Sequence, residues 1–143
     1  MTHPRPAAAM AARGPFTSAV LTLFGGGMSS RLFQNVREQR GLAYTVGSEQ
    51  FLYADAGCLA VYAGTSLASV PELLRLVMQE FKDLKERPVS SEELQRTKDN
   101  LKGSLMLGLE STSSRMAHLA RQHIYYGRFA TMDELVVAIE GID

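Results

Sequence analysis

The chain is expected to fold as an α+β (layered α/β) domain, with an antiparallel sheet packed against helices. Three features of the sequence lead there. Val70, Leu73, Leu74, Val77, Met78, Phe81 and Leu84 recur at three- and four-residue steps, the stripe of one long amphipathic helix. Residues 42–53 (LAYTVGSEQFLY) and 57–64 (GCLAVYAG) are rich in strand formers, and the short ADAG link between them predicts a hairpin. Ser90 with Glu93 and Thr131 with Glu134 have the spacing of capping boxes, which open helices. At 143 residues the chain is long enough for one domain.

The elements follow in order. Residues 1–14 (MTHPRPAAAMAARG) are expected to be an irregular arm, and residues 15–143 the folded domain. Phe16, Ala19, Val20, Leu23 and Phe24 share one helix face, and Gly25 to Gly27 end that helix. Ser29 or Ser30 caps the next helix, which carries Leu32, Phe33 and Val36 and stops at Gly41. After the hairpin and the long stripe, Pro88 closes the helix. The Ser90 box opens another, bearing Leu94, Leu101 and Leu105. Ser111 to Ser114 interrupt the chain, and Met116, Leu119, Ala120, His123 and Ile124 form the next apolar face. The Thr131 box starts the last short helix.

One hairpin is a small sheet for so many helices, and a lone two-stranded sheet is marginal in water. The second strand is apolar on both faces, with Leu59 and Val61 on one and Cys58, Ala60 and Tyr62 on the other. Something is therefore expected over both faces. The sheet is expected to be completed from outside these residues, and the domain to be incomplete at both ends.

Composition excludes several function classes. Lys plus Arg and Asp plus Glu are 15 each, so no global field attracts nucleic acid or anionic lipid. No stretch approaches the roughly 18 apolar residues of a membrane span. The start is a poor secretory signal, since Arg13 interrupts its apolar residues. A bacterial-type cytoplasmic location is expected, with a mitochondrial one less favoured. The single cysteine, Cys58, excludes an internal disulfide and is expected to be a buried, inert thiol.

Chemistry is sparse. The histidines are His3, His118 and His123, with neither an inverted His-x-x-Glu-His nor a His-x-x-x-His pair, so this chain is expected to hold no metal. His123 reads as a core or interface residue. Gly25-Gly26-Gly27 lacks the lysine of a phosphate-binding loop and follows a helix, so it reads as a cap and turn. On residue chemistry alone, Arg37 and Tyr44 are a solvated charge and a rim aromatic.

A longer pattern changes that reading. Gly25-Gly26-Gly27-Met28-Ser29-Ser30-Arg31-Leu32 is followed by Arg37-Glu38-Gln39-Arg40-Gly41-Leu42-Ala43-Tyr44. Ser91-Glu92-Glu93-Leu94, Lys98, Leu101-Lys102-Gly103, Leu109-Glu110-Ser111-Thr112, Arg115-Met116 and Tyr126-Gly127-Arg128 continue it. Over residues 15–143 the chain resembles the C-terminal, metal-free domain of the insulinase and mitochondrial processing peptidase (pitrilysin) family. The resemblance implies two similar halves closing into a clam-like chamber. The first half would hold zinc through an inverted His-x-x-Glu-His motif and a distal glutamate. The second would supply an arginine and a tyrosine to the substrate, and by position these are Arg37 and Tyr44.

The resemblance therefore implies the substrate-contacting, non-zinc half of a zinc endopeptidase, inactive alone. Its partners would be a metal-bearing domain or subunit of the same family and a peptide substrate, with a homo-oligomer also possible. No cofactor belongs to this chain, and zinc is expected in the other half. The alternative is a non-catalytic assembly subunit, like the core proteins this family supplies to respiratory complexes. Retention of Arg37 and Tyr44 favours the peptidase.

Overall fold

Two separate compact units, Val20–Leu94 and the segment up to Ala19 with Gln95–Asp143, make up the fold. The computed structural model describes residues 6–52 and 56–143. The architecture is α+β, rich in helix and with one two-stranded antiparallel sheet among the described residues.

The chain enters through α1, Pro6–Gly25. Residues 6–14 are therefore helical, not an irregular arm, and residues 1–5 of the expected arm lie outside the described residues. Ala7, Ala8, Ala9, Ala11 and Ala12 have the highest helix propensity of any residue, and Pro6 suits a first helical position.

The unit Val20–Leu94 is built on the sheet. Strand β1 (Ala43–Leu52) pairs with β2 (Gly57–Thr65), and the ladder runs from Ala43 opposite Thr65 to Leu52 opposite Gly57. Residues 54 and 55 of the expected ADAG link lie outside the described residues. Helix α2 (Val70–Glu86), entered through a 3₁₀ turn at Leu67–Ser69, covers one sheet face. Phe24, Leu32, Val36, Ala43, Val46, Leu73, Leu76 and Val77 form the buried core, with Val61, Ala63, Phe81 and Leu84 packed against it. The rings of Phe24 and Phe81 lie with centroids 4.3 Å apart. The inward stripe of α2 runs through Leu73, Leu76, Val77 and Glu80, whereas Leu74 and Met78, expected inside, are exposed. Seven apolar positions span more than the arc a two-stranded sheet can cover.

The other sheet face carries Glu49, Cys58 and Tyr62, all exposed. The expected buried thiol is therefore an exposed one. Its strand looked buried because it is apolar on both sides, but within this unit only the side bearing Val61 and Ala63 is packed.

The other unit contains most of α3 (Ser91–Gly108), with α4 (Thr112–Tyr126) and α5 (Met132–Glu140). Ser111 caps α4 by accepting a hydrogen bond from the Ser114 backbone, and Gly127 ends it with φ 65°. Thr131 and Glu134 form a reciprocal capping box on α5. Lys102 Nζ bridges Asp99 at 2.9 Å and Glu140 at 2.5 Å, tying α3 to α5. His123, expected to be a core or interface residue, is exposed in this unit. Its ring stacks on Phe129 at 5.6 Å, so the packing it makes is at the surface.

Candidate substrate-facing site

Arg37 and Tyr44 belong to one unit and flank a single turn. The chain reaches Arg37 through a tightly held entry. Ser30 is buried; its hydroxyl donates to the Gly27 carbonyl at 2.6 Å and accepts from the Phe33 backbone at 3.4 Å. That settles which serine caps the helical segment. Gly25 allows close approach here, since a Cβ on it would stand 2.6 Å from the Ser48 backbone nitrogen on β1.

Residues 33–38 (Phe33–Glu38) then wind as a π-helix, where an ordinary α-helix was expected. The Gln39 N–H reaches back five residues to the Gln34 carbonyl at 3.0 Å. Such wide turns are rare and recur at functional sites. Two side-chain links hold the segment. Arg31 Nε and Nη2 fork onto the two carboxylate oxygens of Glu93 at 2.7 and 2.8 Å. Asn35 Nδ2 donates to buried Glu80 at 2.5 Å. The Glu93 hydrogen bond, with help from the charges of Glu80 and Asp83, pushes the Arg31 guanidinium further above its already high value, against the opposing cost of burial.

Arg37 leaves this segment toward solvent. Its side chain is 44% exposed, its guanidinium carbon lies 4.7 Å over the Phe33 ring, and its Nε is 4.0 Å from Glu38 Oε1. The ring gives the planar cation a face to rest on, with its N–H edge turned to solvent and to Glu38.

Gly41, with φ 59°, closes the segment, where a side chain would be strained. The Leu42 N–H reaches the Val36 carbonyl at 2.9 Å, one residue wider than the usual glycine closure, as a π turn requires. Thr65 Oγ1 donates to the Leu42 carbonyl at 2.5 Å and fastens the start of β1 to the end of β2.

Tyr44 occupies a β-bulge. Ala43 pairs with Thr65 and Thr45 with Gly64, which leaves Tyr44 as the extra residue. Ala43 and Val46 both point into the core, three apart instead of two or four, so Tyr44 and Thr45 both turn outward. Tyr44 is 76% exposed, and its hydroxyl makes no hydrogen bond among the described residues. The bulge and the π turn were both unforeseen. The odd spacing of Ala43 and Val46 was the available signal for the first.

The structure therefore presents two solvent-exposed donors, one cationic and one neutral, on either side of the Gly41 turn. Metal chemistry is another matter. Among the described residues no three His, Cys, Asp or Glu side chains group as ligands. His118 Nε2 is 2.7 Å from the Gln122 amide nitrogen, whose oxygen accepts from the Ala130 backbone at 2.8 Å. With that nitrogen taken and His123 stacked on Phe129, the described residues do not fit a zinc ion.

Residues 16–101 match the family described as "Peptidase M16 inactive domain". A relative from Bacillus subtilis, the uncharacterized zinc protease YmxG, is 40% identical over 121 residues, covering 85% of this chain and 30% of that protein. An uncharacterized zinc protease from Mycobacterium bovis is 39% identical over 125 residues, covering 87% and 28%. The chain thus spans about three tenths of the length of the curated relatives it matches. Among solved structures, the peptidase M16 inactive domain from Pseudomonas fluorescens superposes with TM-score 0.78 at 21% identity, over 92% of this chain and 31% of that one. A protease from Helicobacter pylori superposes at 0.67 with 21% identity, over 97% and 35%. These likenesses show the fold. Together with the matched residues they show that the chain belongs to the peptidase M16 family, as its inactive domain.

Proposed function

We propose that this chain is the substrate-contacting, metal-free part of a zinc endopeptidase, and that Arg37 and Tyr44 donate to the peptide carbonyl where hydrolysis occurs. The observation that carries the reading is the pair of exposed donors beside the Gly41 turn, in a chain whose relatives are named zinc proteases. When a peptide carbonyl is attacked, its oxygen gains negative charge as the carbon becomes tetrahedral. Donors already aimed at that oxygen stabilise the charged state more than the neutral ground state. The Tyr44 hydroxyl supplies one neutral hydrogen bond. Arg37 supplies a permanent positive charge with several donors, steadied by the Phe33 ring.

The zinc of such an enzyme belongs, on this reading, to a metal-bearing half of the same family, with which this chain pairs to enclose the peptide. Alone, the chain binds and orients but does not hydrolyse. The test combines metal analysis of the dialysed chain with a peptide-cleavage assay, with and without a metal-bearing half. The expected result is no stoichiometric zinc and no cleavage alone, and chelator-sensitive cleavage once the halves are combined. Zinc-dependent cleavage by the chain alone would overturn the reading.

A further inference from the structure

We propose that Gly64 is a positioning residue for Tyr44: its missing side chain sets the height at which the Tyr44 hydroxyl lies above the sheet. This rests on the reading that Tyr44 meets the substrate.

The geometry is specific. Gly64 stands opposite Thr45, beside the bulge that carries Tyr44. The Tyr44 ring lies across it, hydroxyl end foremost. A Cβ on Gly64 would fall 2.6 Å from Tyr44 Oη and 2.7 Å from Cε2, with Cζ closer still. No real Cβ tolerates such contacts. The clash is with the tip of a largely exposed ring, which is free to swing outward, and not with backbone. A methyl group at position 64 therefore relieves its strain by lifting the phenol off the sheet while the strands stay paired.

The same device recurs two residue pairs along the ladder. Tyr62 pairs with Gly47 on the same face, and a Cβ on Gly47 would lie 2.5 Å from Tyr62 Oη and 2.7 Å from Cζ. Each strand thus offers a glycine to the other strand's tyrosine. Glycine weakens a strand interior, and an aromatic cover offsets part of that cost. Sheet stability alone, however, is served by any ring over Gly64, with or without a hydroxyl. What the arrangement adds at Tyr44 is a fixed place for an oxygen that bonds to nothing else among the described residues.

Two measurements test this. In the proton spectrum of the chain, one Gly64 α-proton should be displaced upfield by the Tyr44 ring, and Tyr44→Leu should abolish the displacement. An undisplaced Gly64 would overturn the proposal without any need for a glycine variant to fold. In the chain combined with a metal-bearing half, Gly64→Ala should lower kcat by up to roughly 10²-fold, the scale of a 1 Å misplacement, with KM little changed. In a Tyr44→Phe background, where the hydroxyl is already gone, Gly64→Ala should cost almost nothing further. An equal loss in both backgrounds would mean a purely structural role and sink the positioning claim alone. Unchanged turnover in Tyr44→Phe itself would overturn the substrate-contact reading and this proposal with it.

Discussion

Replacing Glu93 by alanine strips the fork from Arg31 and leaves a guanidinium that the fold has largely enclosed. The side chains of Arg31 and Glu93 are only 18% and 24% exposed, and two charge-assisted hydrogen bonds of 2.7 and 2.8 Å join them. An exposed ion pair is worth about 0–1 kcal/mol, and breaking a fully buried one costs about 3–5 kcal/mol. This pair lies between, so Glu93→Ala should cost about 2 kcal/mol, in line with hydrogen bonds to charged groups. Folding raises the Arg31 pKa, so its stabilisation is complete below the unfolded value. It is lost only as pH rises through the still higher folded value. The cost should therefore be the same at any neutral or mildly alkaline pH. Urea unfolding followed by circular dichroism, in a cycle with Arg31→Ala, measures the coupling. A loss under about 0.5 kcal/mol, or strict additivity of the two variants, would place the pair among ordinary surface charges and refute the reasoning.

Other expectations follow from the same structure. Phe24 is fully buried against Phe81, so Phe24→Ala should cost about 3–5 kcal/mol in the same unfolding assay. The Asp99 carboxyl is held below the usual range, chiefly by the hydrogen bond from Lys102. Its small contribution is present above the unfolded pKa and lost as pH falls through the folded one, and Lys102→Met should move its NMR titration midpoint upward. Cys58 is exposed and should react fully with a thiol reagent in the native chain, whereas a buried thiol would react only on unfolding.

The hairpin, the capped helices and the family assignment were legible because each rests on a local rule. Strand-forming runs around a short link, Ser or Thr three residues before Glu, and a long gapped motif all survive without knowledge of tertiary packing. What escaped the sequence depends on packing or on a single extra residue. Pro6 and the following alanines belong to α1, although an Ala- and Pro-rich start reads as an arm. The apolar alternation of β2 could not say which face is covered, so Cys58 was placed inside. Leu74 and Met78 share an arc with Leu73 and Val77, and only the width of the sheet decides which are buried. At the site itself, Arg37 and Tyr44 stood out through the motif. The π turn and the bulge that carry them did not, because each adds one residue to a repeat that sequence periodicity assumes regular.

The most direct test of the central reading is the turnover of Arg37→Ala and Tyr44→Phe when each variant chain is combined with a metal-bearing half and the zinc content is checked. Both should retain full zinc and bind peptide, while kcat falls by about 10²–10³-fold, the usual cost of losing one oxyanion donor. Unchanged kcat in both variants, at equal zinc, would contradict it and return Arg37 and Tyr44 to a surface charge and a rim aromatic.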